Sequence, residues 1–393
     1  MGKKIFGIAG PLLLLLYFIT LVLHISAHDD QYQWDFRTHR IAGEIFASGS
    51  DPYDPNVLIN QKGASFLYTY PPVTLCFYWL FTLTDDETAF HIFLLVKCIL
   101  LIGLIVFWKR EFLSKEGDSL FYLFSLLAFN CAVFLDLIAG NINLVEQILL
   151  WAAFFFYLKK RLVLFCVFAL LAASFKMTPI FFLVLLLMCD HEKKYAYLVG
   201  AGSIFLAYLL IQYLILPDMF TGFIRNALTV VGESGAVGPS THKFVKEIFR
   251  MITQTFGPVS PTLITMVVIG LAVTVVFLSG RACRLLKRSL IDLEDNQKII
   301  LFLVCLVYAL IHPRFKDYAY MLLIVPSYFI MKNIRYTKAF PFIFIFAILA
   351  SPHLMLPGID ILSSVLWQYF PLMIAYTIWG LYLYEIFSQA RNT

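Results

Sequence analysis

Charge is scarce in this sequence. Of 393 residues only 14% are charged, against 61% that are hydrophobic, whereas a soluble globular domain is about a quarter charged and about half apolar. So few polar side chains cannot coat a water-facing surface. A soluble fold is excluded, and a mean hydropathy of +0.81 marks an integral membrane protein. Ordered cysteine spacing is missing too. The seven cysteines (76, 98, 131, 166, 189, 283 and 305) are odd in number, lie within or beside apolar runs, and form neither a CxxC nor a Cys/His pattern. Neither a disulfide framework nor a metal site is indicated, and no cofactor is expected. The net charge of +5 carries no nucleic-acid signature. Its basic residues sit at the ends of apolar runs, at Lys3 and Lys4, Lys159 to Arg161, Lys193 and Lys194, and Arg281 to Arg288, where cytoplasmic anchors belong. Residues 1 to 27 lack the form of a cleaved signal. The apolar run from Ile5 to Ile25 exceeds an h-region of about 7 to 15 residues, and "HISAHDD" is a poor cleavage site, so an uncleaved signal anchor is expected.

What is present is a series of apolar runs of the length needed to cross a hydrocarbon core about 30 Å thick. With the N-terminus inside, residues 26 to 88 form a long first outer loop. It is rich in carboxylates (Asp29, Asp30, Asp35, Glu44, Asp51, Asp54) and includes the short apolar stretch 70 to 83, which is expected to lie in the interface without crossing. The following spans are 89–108, 119–139, 141–158, a pair split by "FKMTP" within 162–189, 195–216 and 262–280. A second split pair, 298–311 and 318–331, is broken by "HPRFKDY", and 339–351 and 362–387 complete the set. The segment 217–261 is expected as a second long outer loop, its Gly/Ser-rich "GESGAVGPSTHK" followed by an amphipathic helix that acts as a lid or lies in the interface. The expected architecture is all-α and polytopic, one domain over 1–393 with about twelve transmembrane helices and both termini cytoplasmic. The breaks holding Asp35, Tyr70, Asn141, Lys176, His312, Arg314 and His353 all fall on the outer face. Irregular backbone and charge at membrane depth belong where they line a cavity, so an outward-opening polar site is implied.

Several of these breaks, in order, resemble the GT-C glycosyltransferases, and among them glycosyltransferase family 87, which includes polyprenol-phosphate-mannose-dependent mannosyltransferases. The stretches that carry the resemblance are "DFRTHRIAGEIFASGSDPYD", "YTYPPVTLCFYWLF", "GNINLVEQILL" and "ASFKMTPIFFLVLLL", with weaker echoes in "GPSTHKFVKEIFRMI" and "HPRFKDYAYMLLIVP". Two departures stand out. Asn141 occupies the place of the usual Gln of a "GQ.N" motif, and "HPRFKDY" replaces a Ser-Pro and aromatic-His pattern. The resemblance implies a bacterial inner-membrane enzyme that moves a hexose, foremost mannose, from a polyprenyl-phosphate donor to a lipid-linked or glycan acceptor on the periplasmic side, with inversion. A polytopic transporter and a lipid-linked polysaccharide ligase or polymerase are the alternatives.

Such a transfer needs a base for the incoming hydroxyl and positive charge for the departing phosphate. The resemblance makes Asp35 the general base; read from position alone, it caps the helix that follows. Arg37, His39 and Arg40 either hold phosphate and orient Asp35 or anchor to lipid headgroups. Tyr53 and Tyr70 are sugar-site walls on the family pattern, or interface-belt tyrosines. Asp51 and Asp54, beside prolines, read as turn formers. Asn141, Asn143 and Glu146 open a span, where they bind sugar or serve the helix start. Lys176 either pairs with a carboxylate or takes the donor phosphate, the reading preferred here. Arg314 with His312 forms a second phosphate-binding break, the competing view being an Arg314 to Asp317 ion pair.

Overall fold

The computed structural model describes residues 2–28, 31–113, 120–231, 238–288, 293–333, 340–349 and 368–392. Among the described residues every regular element is helical, which lets each backbone group find its partner within its own segment. Among the described residues six stretches are long and apolar enough to cross a membrane: Gly10–Ala27, Asp86–Glu111, Leu120–Ala139, Lys194–Ile215, Pro261–Lys287 and Phe370–Ala390. The chain is an integral membrane protein. Other expected crossings coincide with shorter apolar helices, Asn143–Leu158, Leu162–Phe175, Thr178–Met188 and Asn296–Ile311, each less than a ~30 Å core requires at about 1.5 Å per residue. Length therefore supports six crossings, and a count of about twelve stays an expectation. The stretch 232–237 of the second outer loop and the turn carrying His353 lie outside the described residues.

The chain divides into two compact units, the first formed by Met1–Ser119 and Phe134–Glu233. In the first unit α1 (Gly2–Ala27) precedes α2 (Trp34–Ala47). The N-cap of α2 is Gln33, a left-handed residue (φ 54°) whose N–H donates to the Ile138 carbonyl at 2.6 Å. Past its end the chain turns at Gly49, with φ 78°. The buried face of α2 is Asp35, Phe36, Thr38, His39, Ala42, Gly43 and Ile45, the spacing of one helical stripe. That stripe lies on α3 (Val73–Trp79), which Pro71 and Pro72 introduce, as prolines suit the start of a helix. Leu80–Leu83 continues α3 as a 3-10 turn, and the Asp85 carboxylate caps α4 (Asp86–Glu111) by accepting the Thr88 N–H at 2.9 Å.

Helix α5 (Leu120–Ala139), at the crossing expected over 119–139, is interrupted in its middle. Its backbone leaves the helix at Ala128, and Phe129, Asn130 and Cys131 all take left-handed angles near φ 54–57°. Each such residue costs about 1–2 kcal/mol without glycine's freedom, and no Gly or Pro announces the break. The portion from Phe134 onward belongs to the first unit. There α6 (Asn143–Leu158) and α7 (Leu162–Phe175) form a helical hairpin over the turn Lys159–Arg161, in which Lys160 is left-handed (φ 56°). Helix α7 stops at Lys176, whose backbone is extended, and a 3-10 stretch, Thr178–Val184, leads into the short α8 (Leu185–Met188). That is the break expected at "FKMTP".

After α9 (Lys194–Ile215) comes α10 (Pro217–Val231), where a polar loop was expected. Met219, Phe220, Phe223, Ile224 and Ala227 recur at helical spacing and pack on a cluster built from Tyr53, Leu58, Tyr68 and Leu75. The helix exists because that face has something to cover. The second unit contains Leu120–Val133 and Ser234–Thr393. Its helices are α11 (Thr241–Phe256), α12 (Pro261–Arg288), α13 (Leu293–Ile311), α14 (Ile324–Asn333), α15 (Phe340–Leu349) and α16 (Phe370–Asn392), with a 3-10 stretch, Asp317–Leu323, ahead of α14. Helices α12, α13 and α16 pack on one another. Inside this apolar group the Tyr382 hydroxyl donates to the Pro326 carbonyl (2.7 Å) and the Trp379 indole N–H to Ser279 Oγ (2.9 Å), as polar groups at membrane depth require.

Candidate active site

Two turns bring the polar residues of the first unit together. One is the entry to α2, and the other is Gly140–Ile142, joining the end of α5 to α6. Gly140 has φ 68°, and a Cβ there would lie 3.0 Å from Gln33 Cβ and Phe36 Cβ, so glycine is required by both conformation and space. The close approach sets Asn141 beside the first turn of α2. There the Asn141 Nδ2 donates to the Asp35 carboxylate and to the Tyr70 hydroxyl, 2.8 Å away. Its Oδ1 accepts the Asn143 N–H at 2.9 Å. Because a backbone N–H can only donate, that contact fixes which amide atom is oxygen and which nitrogen. Asn141 thus serves the first amide of α6, as the helix-start reading has it, and the same side chain also holds Asp35. Asp35 itself is 6% exposed and is not the N-cap of α2, a place Gln33 takes without a side-chain hydrogen bond.

Beneath Asn141 lies a buried ion pair. Lys97, midway along α4, is 3% exposed and Asp136, near the end of α5, is 0% exposed, with Nζ and Oδ2 at 2.7 Å. Lys97 also donates to the carbonyls of Asp136 (2.6 Å) and Asn141 (2.9 Å). The ammonium thus has two carbonyl acceptors and one carboxylate counter-charge around it. The other Asp136 oxygen accepts from Asn143 Nδ2 at 3.3 Å. Neither Lys97 nor Asp136 was picked out from the sequence, since both sit inside runs that read as plain spans. The usable signal was their being ionisable residues in the middle of apolar helices.

The α6–α7 hairpin supplies a second ion pair. Its antiparallel register sets the start of α6 beside the end of α7, and Glu146 Oε2 lies 3.1 Å from Lys176 Nζ. Glu146 is 3% and Lys176 25% exposed. The approach is off the hydrogen-bond direction, leaving Glu146 Oε2 without a formal hydrogen bond. Of the two sequence readings of Lys176, carboxylate pairing is the one realised in this structure. Its charge also acts on Asp136, so the two ion pairs are neighbours.

An aromatic wall flanks Asp35. The His39 ring, one turn further along α2, packs against Tyr68, Tyr70 and Tyr78 with centroids 5.4, 4.9 and 4.7 Å away. Burial, and secondarily the nearby charge of Lys97, lowers the His39 pKa to about 3, so the ring is neutral at physiological pH. Behind it Tyr53 donates through its hydroxyl to the Tyr70 carbonyl (2.7 Å). Asn226 of α10 donates to the carbonyls of Tyr53 (3.0 Å) and Tyr68 (3.2 Å). Tyr53 is fully buried, so it acts in packing rather than as an interface-belt tyrosine. Asp51 and Asp54 accept the backbone N–H groups of Tyr53 and Asn56, both at 2.9 Å, as turn formers do.

Arg37 is exposed and stacks over the Phe90 ring at 5.5 Å. Arg40 is engaged in the scaffold: its guanidinium donates to the carbonyls of Phe81 (3.0 Å) and Thr84 (2.9 Å) and pairs with Asp86, tying α2 to the turn before α4. In the second unit, His312 Nδ1 accepts the Arg314 N–H at 3.1 Å, and the His312 ring packs against Tyr308 and Phe315. Among the described residues Arg314 makes no ion pair, with Asp317 or any other carboxylate. The 310–313 break is held instead from α11, Ser240 Oγ donating to the Pro313 carbonyl (2.7 Å) and Thr241 Oγ1 to that of Leu310 (2.6 Å).

Compared with known proteins, the chain matches the family model of glycosyltransferase family 87 over residues 68–313. Neither the curated proteins nor the solved structures gave a match.

Proposed function

Since the chain belongs to glycosyltransferase family 87 and is a membrane glycosyltransferase, we propose that it transfers a hexose, foremost mannose, from a polyprenyl-phosphate donor to a lipid-linked or glycan acceptor, with Asp35 as general base. The observation that carries this reading is the Asp35 carboxylate, nearly buried and held by the Asn141 amide. A carboxylate gripped by a fixed donor and walled by tyrosines is pre-aimed, which is where a base gains most of its effect.

The reaction is a single displacement. The acceptor oxygen attacks the anomeric carbon, its proton passes to Asp35, and the bond to the phosphate oxygen breaks on the opposite face, which inverts the centre. Lys176 supplies positive charge for the departing phosphate. It retains a quarter of its exposure, and its hold on Glu146 is not a directed hydrogen bond, so a phosphate can share or replace that partner. Tyr70 and Asn143 flank Asn141 as sugar contacts. Arg314, which makes no ion pair among the described residues, is suited to a phosphate by its planar fork, and His312, which accepts its N–H, orients that loop. Arg40 is assigned to the scaffold.

The outer, periplasmic face is favoured by the distribution of charge along the helices. The α6–α7 hairpin carries Lys159–Arg161 at one end and the Glu146–Lys176 pair at the other, and α4 runs from Asp85–Glu87 to Lys109 and Arg110. Basic ends face the cytoplasm, which leaves Asp35 outside. A bacterial inner membrane suits this arrangement.

The test uses purified protein in lipid nanodiscs, polyprenyl-phosphate [14C]mannose and a membrane lipid extract as acceptor source, with products read by mass spectrometry. Asp35→Asn is expected to lower transfer at least about a thousandfold while the protein stays folded. Turnover retained within tenfold would overturn the base assignment. The same assay with polyprenyl-phosphate glucose and galactose identifies the sugar.

A further inference from the structure

Lys97 has a geometry unlike that of a ligand-binding lysine. It is almost fully buried; it donates to the carbonyls of Asp136 (2.6 Å) and Asn141 (2.9 Å), and its Nζ forms an ion pair with Asp136 Oδ2 at 2.7 Å. Enclosed by these three protein oxygens and 3% exposed, the ammonium is not open to a substrate phosphate. All three oxygens lie on the segment from the end of α5 through the Gly140–Ile142 turn. Asn141 is thereby held at two points, its carbonyl by Lys97 and its Oδ1 by the Asn143 N–H. What remains of the side chain, the Nδ2 group, is directed at Asp35 and Tyr70.

We propose that Lys97 is a positioning residue for sugar transfer: by binding the 136–141 turn from below, it fixes the Asn141 amide that aims and holds the Asp35 carboxylate. The inference rests on the reading of Asp35 as the base. Lys97 acts two bonds of contact away from the reacting atoms and touches no substrate. Lys97 lies midway along α4, so the residue at position 97 ties the turn to that helix and sets its height against α2. The role also accounts for a buried charge pair inside apolar helices. Ionic groups at that depth cost more than a hydrophobic pair of the same size, so they persist where a definite geometry is needed.

The titratable groups that Lys97 acts on are Asp136 from α5, the neutral His39 from α2 and Cys98 of α4 itself; Asp136 in turn links it to Tyr78 of α3 and to the Glu146–Lys176 pair of α6 and α7. Replacing Lys97 and Asp136 together leaves the total charge of this group unchanged. A loss of rate in that double variant therefore reports geometry more than charge.

The experiment is a coupling cycle on the full-length protein in nanodiscs, with polyprenyl-phosphate [14C]mannose and a membrane lipid extract. The three variants are Lys97→Met/Asp136→Asn, Asn141→Ala, and the two combined. The expected result is a fall in kcat of about thirtyfold or more for each of the first two, donor KM within about threefold of wild type, and no further loss in the combination. The acid limb of the kcat profile should move to higher pH in all three, because Asn141→Ala removes, and the Lys97/Asp136 variant displaces, the amide donor that favours the ionised carboxylate. A merely structural role would lower thermal stability and give losses that multiply in the combination, with the acid limb unmoved. If the double variant fails to fold, Lys97→Arg is the second test. It keeps the charge, but its fork cannot reach three oxygens arranged for an ammonium, so kcat should fall with KM retained, and wild-type kcat would overturn the role. Asp35→Asn in the same assay separates the two readings. An inactive Asp35→Asn with multiplicative losses in the cycle overturns the positioning role alone, and an active Asp35→Asn overturns the base assignment and this role with it.

Discussion

Two glycines in helix interiors should respond to the same substitution with opposite sign. Gly43 faces α3, and a Cβ placed on it would lie 2.9 Å from Trp79 N, 3.0 Å from the Tyr78 carbonyl carbon and 3.3 Å from Trp79 Cα. All three are backbone atoms, so no flexible side chain can give way. Gly103, in α4, has nothing within 4 Å. Ordinary contact begins near 3.4 Å, so Gly43→Ala must part α2 from α3 by about half an ångström, an overpacking cost of about 1–3 kcal/mol. Helix propensity returns about 0.5–1 kcal/mol of this. The net is a loss of about 0–2.5 kcal/mol at Gly43 and a gain of about 0.5–1 kcal/mol at Gly103. His39 and Asp35 lie one and two turns before Gly43 on the same buried face, so the displacement is expected to reach Asp35, the proposed base. A shift of about 1 Å at a reacting group can cost a hundredfold, and half of that predicts a loss of about tenfold in kcat. Thermal unfolding in nanodiscs and transfer of radiolabelled mannose measure the two effects. A Gly43→Ala protein more stable than wild type, with undiminished turnover, would refute the packing argument.

Three further outcomes are expected. Lys176→Ala should raise donor KM about tenfold with kcat within about threefold, since phosphate contact is a binding term; a lower melting temperature with unchanged KM would reduce Lys176 to the ion pair with Glu146. Asn226→Ala leaves the buried carbonyls of Tyr53 and Tyr68 short of a donor and should cost about 1–3 kcal/mol in thermal unfolding, an unchanged melting temperature being the contrary result. His39 binds its proton near pH 3 when folded and near 6.5 when unfolded. Between those values the unfolded chain holds more protons, so stability is full above about pH 6.5 and falls with acidification at up to about 1.4 kcal/mol per unit. His39→Phe should flatten that slope, and equal acid sensitivity in both proteins would locate it elsewhere.

How far the site could be read from sequence depended on whether chemistry and chain punctuation coincided. The breaks at Lys176 and at 312–318 were legible because Pro and charge interrupt apolar runs, and both are followed by 3-10 stretches. Helix α2 was legible from its amphipathic stripe and from Gly49. Lys97 and Asp136 were not, because a continuous span hides the partner that a buried charge needs, and the pair is 39 residues apart. The interruption of α5 at Ala128–Cys131 has no Gly or Pro to mark it. Helix α10 was missed for the converse reason. Its segment is polar enough to pass for a loop, and only the tyrosine cluster beneath it gives its apolar face a use. Arg40 matched a phosphate-binding pattern in type and place, yet its contacts are with carbonyls and a carboxylate of its own unit, which spacing alone could not reveal.

Asn141 carries a consequence for biosynthesis of the enzyme. The same small amide that begins α6 also grips the Asp35 carboxylate, so that contact cannot form before the turn has closed and the hairpin behind it has started. A chain halted partway through insertion holds Asp35 but lacks its grip. On the proposed role of Asp35, full transfer activity is expected only of molecules in which this turn has formed.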